Sequence, residues 1–176
     1  VLSLSNICFI LSMTSTTVAN TVFTISLIPF LTAFFSFLIL KEKLAKITIF
    51  TMLLAFGGVL VMFYGVLLIG ALWGNILALF AAICFSIFTI ILRMNKNIDM
   101  LPCLLISGVI AMALSLFQKM GSLQISSNDF FLCFILGAVL SGFVNCCFVV
   151  ATRHLIAAEV TLFFFIEIAL SPFWVW

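Results

Sequence analysis

Between Ala158 and Trp176 the sequence AEVTLFFFIEIALSPFWVW sets two acids and a hydroxyl into an otherwise apolar run. Glu159, Phe163, Glu167 and Ser171 recur at every fourth residue, so on a helix they share one face. A charged group near a bilayer midplane costs roughly 2.5–3.5 kcal/mol on insertion scales, and such groups usually face a bundle interior or a watery cavity. A carboxyl group there could carry a proton or offset the charge of a cation. The blander alternative, a neutral glutamic acid hydrogen-bonded between helices, stays open for Glu167. Glu159 lies in the first turn of the same run, where an acid complements the helix dipole.

The elements that position these residues must be membrane helices. Hydrophobic residues make up 66% of the 176 positions and charged ones 7%, with 22 Phe, and the mean hydropathy is +1.50. That exceeds what one soluble core can hide. The fold class expected is all-α, a polytopic membrane helix bundle. A formal net charge of +2, without a basic-aromatic pattern, argues against nucleic acid as a partner. Cys8, Cys84, Cys103, Cys133, Cys146 and Cys147 show no C-x-x-C pair and His154 is the single histidine, so metal-ligand spacing is absent. The cysteines read as small buried packing residues. No metal and no cofactor is expected.

About seven spans follow from the hydropathy pattern. Residues 1–13 are apolar but short of the roughly 17–25 residues a spanning helix needs, and read as the tail of a cut helix. Residues 17–40 form the second segment, entered through the Ser/Thr-rich SMTSTTVAN, whose hydroxyls can cap a helix. Pro29 sits in its middle, where it kinks the helix either for packing or to expose half-helix ends at a binding site. Segments three to seven cover residues 47–69, 71–92, 100–117, 130–151 and 158–176. Small residues mark expected close contacts: Gly57 and Gly58 in the third, Ala78, Ala82 and Ser86 in the fourth, Gly137, Ser141 and Gly142 in the sixth. Asn145 lies among apolar neighbours in the sixth.

Charge supports this division. Placing the links on alternate sides puts Lys41, Lys43, Lys46, Arg93, Lys96 and Arg153 on one face and Lys119 alone on the other, and the basic face is expected to be cytoplasmic. Glu42 between Lys41 and Lys43 reads as a solvated interfacial cluster, Arg153 as a topology anchor, and Trp73, Trp174 and Trp176 as interfacial aromatics.

The chain also aligns with itself. A shift of 139 places SNICFIL on VNCCFVV, matching Asn6 with Asn145, Cys8 with Cys147 and Phe9 with Phe148, with six identities in 37 positions. The same shift lays Asn20, Thr24, Ile28 and Thr32 on Glu159, Phe163, Glu167 and Ser171. Five crossings separate the copies, so the expected repeats are inverted, an arrangement with which many carriers build a midplane site of alternating access.

At these residues a family resemblance appears. TSTTVANTVFTISLIPFLTAFFSFLILKEKL followed by a Gly-Gly helix resembles the end of an EamA-type domain of the drug/metabolite transporter superfamily. GALWGNILALFAAICFSIFTIILR resembles the opening of a second such domain, and IAAEVTLFFFIEIALSPFWVW its fourth helix. The resemblance implies ten helices in two inverted repeats, of which this chain would hold helices three to nine, truncated at both ends. Residues 1–69 would be the C-terminal part of the first repeat and 70–176 the second lacking its last helix. Glu42 matches the family's acid after the fourth helix and Glu167 its acid in the ninth, although Ile168 stands where Pro often follows.

These readings converge on an expected secondary active transporter in a bacterial inner membrane. It would move a small polar or amphipathic metabolite, with proton coupling and a homodimer as further expectations. The substrate pathway is expected along Asn20, Thr24, Thr32, Asn145, Glu167 and Ser171, with Asn6 as an additional hydrogen-bond partner. A membrane enzyme is disfavoured, because Asp99 and Asp129 fall in links on opposite sides. A non-transporting assembly or lipid-interacting protein is the alternative.

Overall fold

A computed structural model describes residues 1–42, 45–63, 72–118 and 127–175, and its described elements are all helical. In chain order these are α1 (Leu2–Ser15), α2 (Val18–Leu40), α3 (Lys46–Phe63), α4 (Leu72–Met94), α5 (Leu101–Gln118), α6 (Ser127–His154) and α7 (Ala157–Val175). Among the described residues α2, α4 and Asp129–His154 of α6 are long and apolar enough to cross a membrane, while Leu2–Ser15, Lys46–Val61 and Leu101–Leu116 are shorter apolar helices. Large apolar side chains point outward all round, among them Val61, Leu72, Leu105 and Phe143. Apolar surface on that scale suits lipid rather than water.

α4 is the hub. It touches α1 most extensively and also meets α2, α6 and α7. The small-residue seam expected on α4 explains this, since Ala78, Ala82 and Ser86 are fully buried. Lipid supplies no hydrophobic drive between helices, so close backbone approach and hydroxyl bonds must hold them. Ser5 and Ser12 of α1 donate at 2.8 Å to the carbonyls of Ala81 and Gly74. A Cβ on Gly74 would come within 2.6 Å of the Thr16 side chain, which is why this position of the crossing needs glycine.

The same contacts fix direction. Ser12 meets Gly74 and Ser5 meets Ala81, so α1 runs antiparallel to α4. Phe85 stacks on Phe148, and Arg93 reaches Thr152, so α6 runs parallel to α4 and therefore opposite to α1. Phe30 packs against Phe165 and Ala33 against Ala158, so α2 and α7 are also antiparallel. Both pairs that the 139-residue shift aligns are thus oppositely oriented. Under that shift the Ser15 end of α1 falls on the His154 end of α6, and the Val18 start of α2 on the Ala157 start of α7.

α2 is not one continuous helix. Val18–Ile25 ends at Ser26 and Leu27, Ile28–Phe35 restarts with Pro29 in its first turn, and Ser36–Leu40 widens into a π turn. Pro29 has no N–H to offer the carbonyl of Ile25 and its ring crowds that carbonyl, so the break falls about one turn before the proline. Lys41, at φ 54°, ends the helix in the left-handed region.

Two packing expectations are corrected. A Cβ at Gly57, Gly58 or Gly137 would meet nothing within 4 Å, and one at Gly142 only the Gly137 carbonyl at 3.9 Å. Among the described residues these glycines mark no close helix approach, because the faces carrying them point outward. Likewise only Cys8 and Cys84 are buried, whereas Cys103, Cys133, Cys146 and Cys147 are exposed on the apolar helix surface.

Candidate functional site

Glu167 lies in the third turn of α7, and two cavities open on either side of it. The first, about 250 Å³, sits between α1, α2, α4 and α7. Its polar wall is Ser5, Asn6 and Glu167, its aromatic wall Phe9, Phe85 and Phe164. Val22, Ile25 and Ile28 close it from α2, straddling the break in that helix. The second, about 240 Å³, lies between α4, α6 and α7, where Asn145, Phe148, Phe163 and Glu167 line it.

Phe85 and Phe164 border both cavities. Their rings meet edge to face at 5.3 Å, and Phe148 adds contacts at 5.4 Å to Phe85 and 6.1 Å to Phe164. Edge-to-face rings hold such a partition by packing and quadrupole alone, so side-chain rotation can open it without breaking a hydrogen bond.

The polar groups differ in how far they are engaged. Ser5 has spent its hydroxyl on Ala81. One N–H of the Asn145 carboxamide goes to the Ser141 carbonyl at 2.8 Å, beside the π turn Ile135–Ser141. Asn6 and Glu167 make no hydrogen bond or ion pair to any described residue. Glu167 is exposed and borders both cavities, and among the described residues it makes no hydrogen bond between helices.

Of the residues expected to line the pathway, the structure brings Glu167 and Asn145 together at one cavity and adds Asn6 at the other. It does not bring Asn20, Thr24 or Thr32 to either. Asn20 is buried at the start of α2, donating to Thr16 Oγ1 at 3.3 Å. The Thr24 hydroxyl donates back to the Asn20 carbonyl at 2.8 Å. Thr32 is fully buried and its hydroxyl has no hydrogen-bond partner among the described residues. The Ser171 side chain lies outside the described residues, as do those of Trp174 and Trp176.

Glu42 is not the solvated residue its lysine neighbours suggest. Its carboxylate accepts from Arg93 Nε at 2.9 Å and from Ser36 Oγ at 2.9 Å, and both partners of the ion pair are mostly buried. Arg93 Nη1 also donates to the carbonyls of Thr152 and Arg153, at 3.3 and 3.1 Å. One guanidinium thereby ties together the ends of α2, α4 and α6, capping the last turn of α6 with a cation. Arg153 pairs with Asp99 beside it. The matching acid and base lie 51 residues apart, so only their shared place at helix ends of one face could have signalled the pair.

Fold and site define an integral multi-pass membrane protein with a carboxylate-centred cavity inside an all-helical bundle. Residues 1–64, covering α1 to α3, match the model of the EamA-like transporter family, so this part of the chain is similar to an EamA-type segment. No curated protein and no solved structure matches the chain.

Proposed function

We propose that the protein is a secondary active transporter of a bacterial inner membrane, moving a small polar or amphipathic metabolite by alternating access. Residues 1–69 form the C-terminal part of a first repeat and residues 70–176 a second, inverted repeat without its last helix. The observation that carries the reading is Glu167, a carboxyl group without a partner among the described residues, between two cavities at the meeting of oppositely oriented helix pairs. A carboxyl group so placed is costly unless it is used. The opposite senses of α1 and α6, and of α2 and α7, support access from either side by rocking of one pair against the other.

Asn6, Asn145 and Glu167 form the core of the pathway, and Ser171 continues it one turn along α7. Asn20, Thr24 and Thr32 support the helix that closes the first cavity. Glu167 also serves as the proton-carrying group that couples transport to a gradient. Replacing Glu167 with Gln in the natural full chain, reconstituted in proteoliposomes, should abolish gradient-driven solute uptake while leaving thermal stability intact. Unchanged uptake with unchanged pH dependence would remove Glu167 from the mechanism.

A further inference from the structure

Arg93 and Glu42 face each other across the boundary between the two repeats proposed above. Glu42 and its second donor, Ser36, lie in residues 1–69, whereas Arg93 and the carbonyls of Thr152 and Arg153 that it caps lie in residues 70–176. Rocking of one repeat against the other at this end of the bundle must break contacts of this one guanidinium. The chain departs twice from a regular helix to set the carboxylate there. Ser36–Leu40 widens into a π turn, and Lys41 takes φ 54°, in the left-handed region that residues other than glycine seldom adopt. Glu42 is thereby turned back under the end of α2, where Ser36 Oγ donates to it at 2.9 Å.

With side chains only 12% and 20% exposed, Arg93 and Glu42 have given up most of their hydration. Their attraction offsets that loss only narrowly, so such a pair is a weak source of net stability. The same balance makes it easy to part, because entering water replaces the attraction that is lost. Between this pair and the first cavity runs a dry seam of hydroxyls. Ala82, Ser86, Thr89 and Arg93 fall on one face of α4, and Ala82 borders the cavity. Ser86 and Thr89 are fully buried, and they donate within α4 to the Ala82 carbonyl at 2.8 Å and the Phe85 carbonyl at 3.0 Å. Hydroxyls bonded inside their own helix keep a partner when the neighbouring helix moves away, so this seam can wet without orphaning them.

From this placement, and resting on the alternating-access reading above, we infer that the Arg93–Glu42 pair is a latch that holds the bundle shut at the end carrying Arg93 and Arg153. When the pair parts, α2 separates from α4 along Thr89 and Ser86, and the first cavity gains access from that end. The form described is the latched one. Arg93 and Glu42 act on transport through the position of α2 and touch no solute.

The test uses the natural full chain in its membrane, in two single-cysteine forms: one carries Thr89→Cys, the other keeps only Cys8, which is buried on the face of α1 that also bears Ser5 and Ser12. A charged methanethiosulfonate is added from each side in turn. Glu42→Gln, which removes the charge but can still accept from Ser36, and Arg93→Ala should each speed modification at Thr89→Cys roughly tenfold. The gain should come from the Arg93 end alone, with Cys8 still protected. Equal acceleration at Cys8 would mean general loosening and overturns the latch. Modification at Thr89→Cys that neither variant changes, in a chain that still transports, also overturns it and leaves the transporter reading standing. Accelerated modification in a reconstituted chain that moves no solute under any gradient removes the transporter reading, and the latch's part in access with it.

Discussion

At the scale of single residues, Glu167 and Thr32 illustrate opposite fates of a polar group inside a membrane helix. Among the described residues, Glu167 borders two cavities without a partner, whereas Thr32 is buried with its hydroxyl unsatisfied. A buried hydroxyl without a partner costs about 1–3 kcal/mol. Thr32→Val keeps the shape and removes the orphan oxygen, so it should leave the melting temperature of the full chain unchanged or raise it, with uptake unaffected. A marked fall in either would show that the Thr32 hydroxyl has a use the described contacts do not include. Periodicity alone could not separate these two residues, because it places both on a polar row. Whether a row faces a cavity depends on the neighbour that packs against it, and at Thr32 that packing supplies no polar partner among the described residues.

At the scale of elements, α2 and α4 hold the site in shape. The α2 break at Ser26–Leu27 was legible from Pro29, and the α4 seam from its small residues, since both follow from local sterics. The cavity wall on α2 was not legible: it is the apolar set Val22, Ile25 and Ile28 rather than the polar row. The rotation of α2 is set by its contacts with α4 and α7, as in the Ser86 hydroxyl reaching the Ile28 carbonyl at 3.4 Å. Gly74→Ala would force the α1–α4 crossing apart, because the new methyl meets the backbone nitrogen of Thr16 at 2.9 Å as well as its side chain. Overpacking of this kind costs about 1–3 kcal/mol, to be read as a lower melting temperature in detergent. Arg93→Ala leaves Glu42 without its cation and the end of α6 without its cap. Hydrogen bonds to charged groups contribute roughly 1.5–3 kcal/mol each, so a destabilisation of about that size is expected. Arg93→Lys should recover only part of it, since one ammonium cannot reproduce the forked contacts to Glu42 and α6.

At the scale of the whole molecule, the seven helices of the described residues set two oppositely directed helix pairs around a central helix. The all-helical class and the number of helices were legible, because hydropathy runs record them directly. The Arg93–Glu42 tie was not, because a long-range ion pair leaves no periodic trace. The outward-facing glycines of α3 and α6 misled for a related reason: a small residue permits a close neighbour but does not supply one.

The central claim is that Glu167 looks into a water-accessible path between helices. It is tested most directly by Glu167→Cys in the natural full chain, with the native cysteines replaced and the protein kept in its membrane. A charged, water-soluble methanethiosulfonate reagent should modify this cysteine, and transported solute should slow the modification. Labelling only by a lipid-soluble maleimide, with none by the charged reagent from either side, would place the side chain against acyl chains and contradict the account.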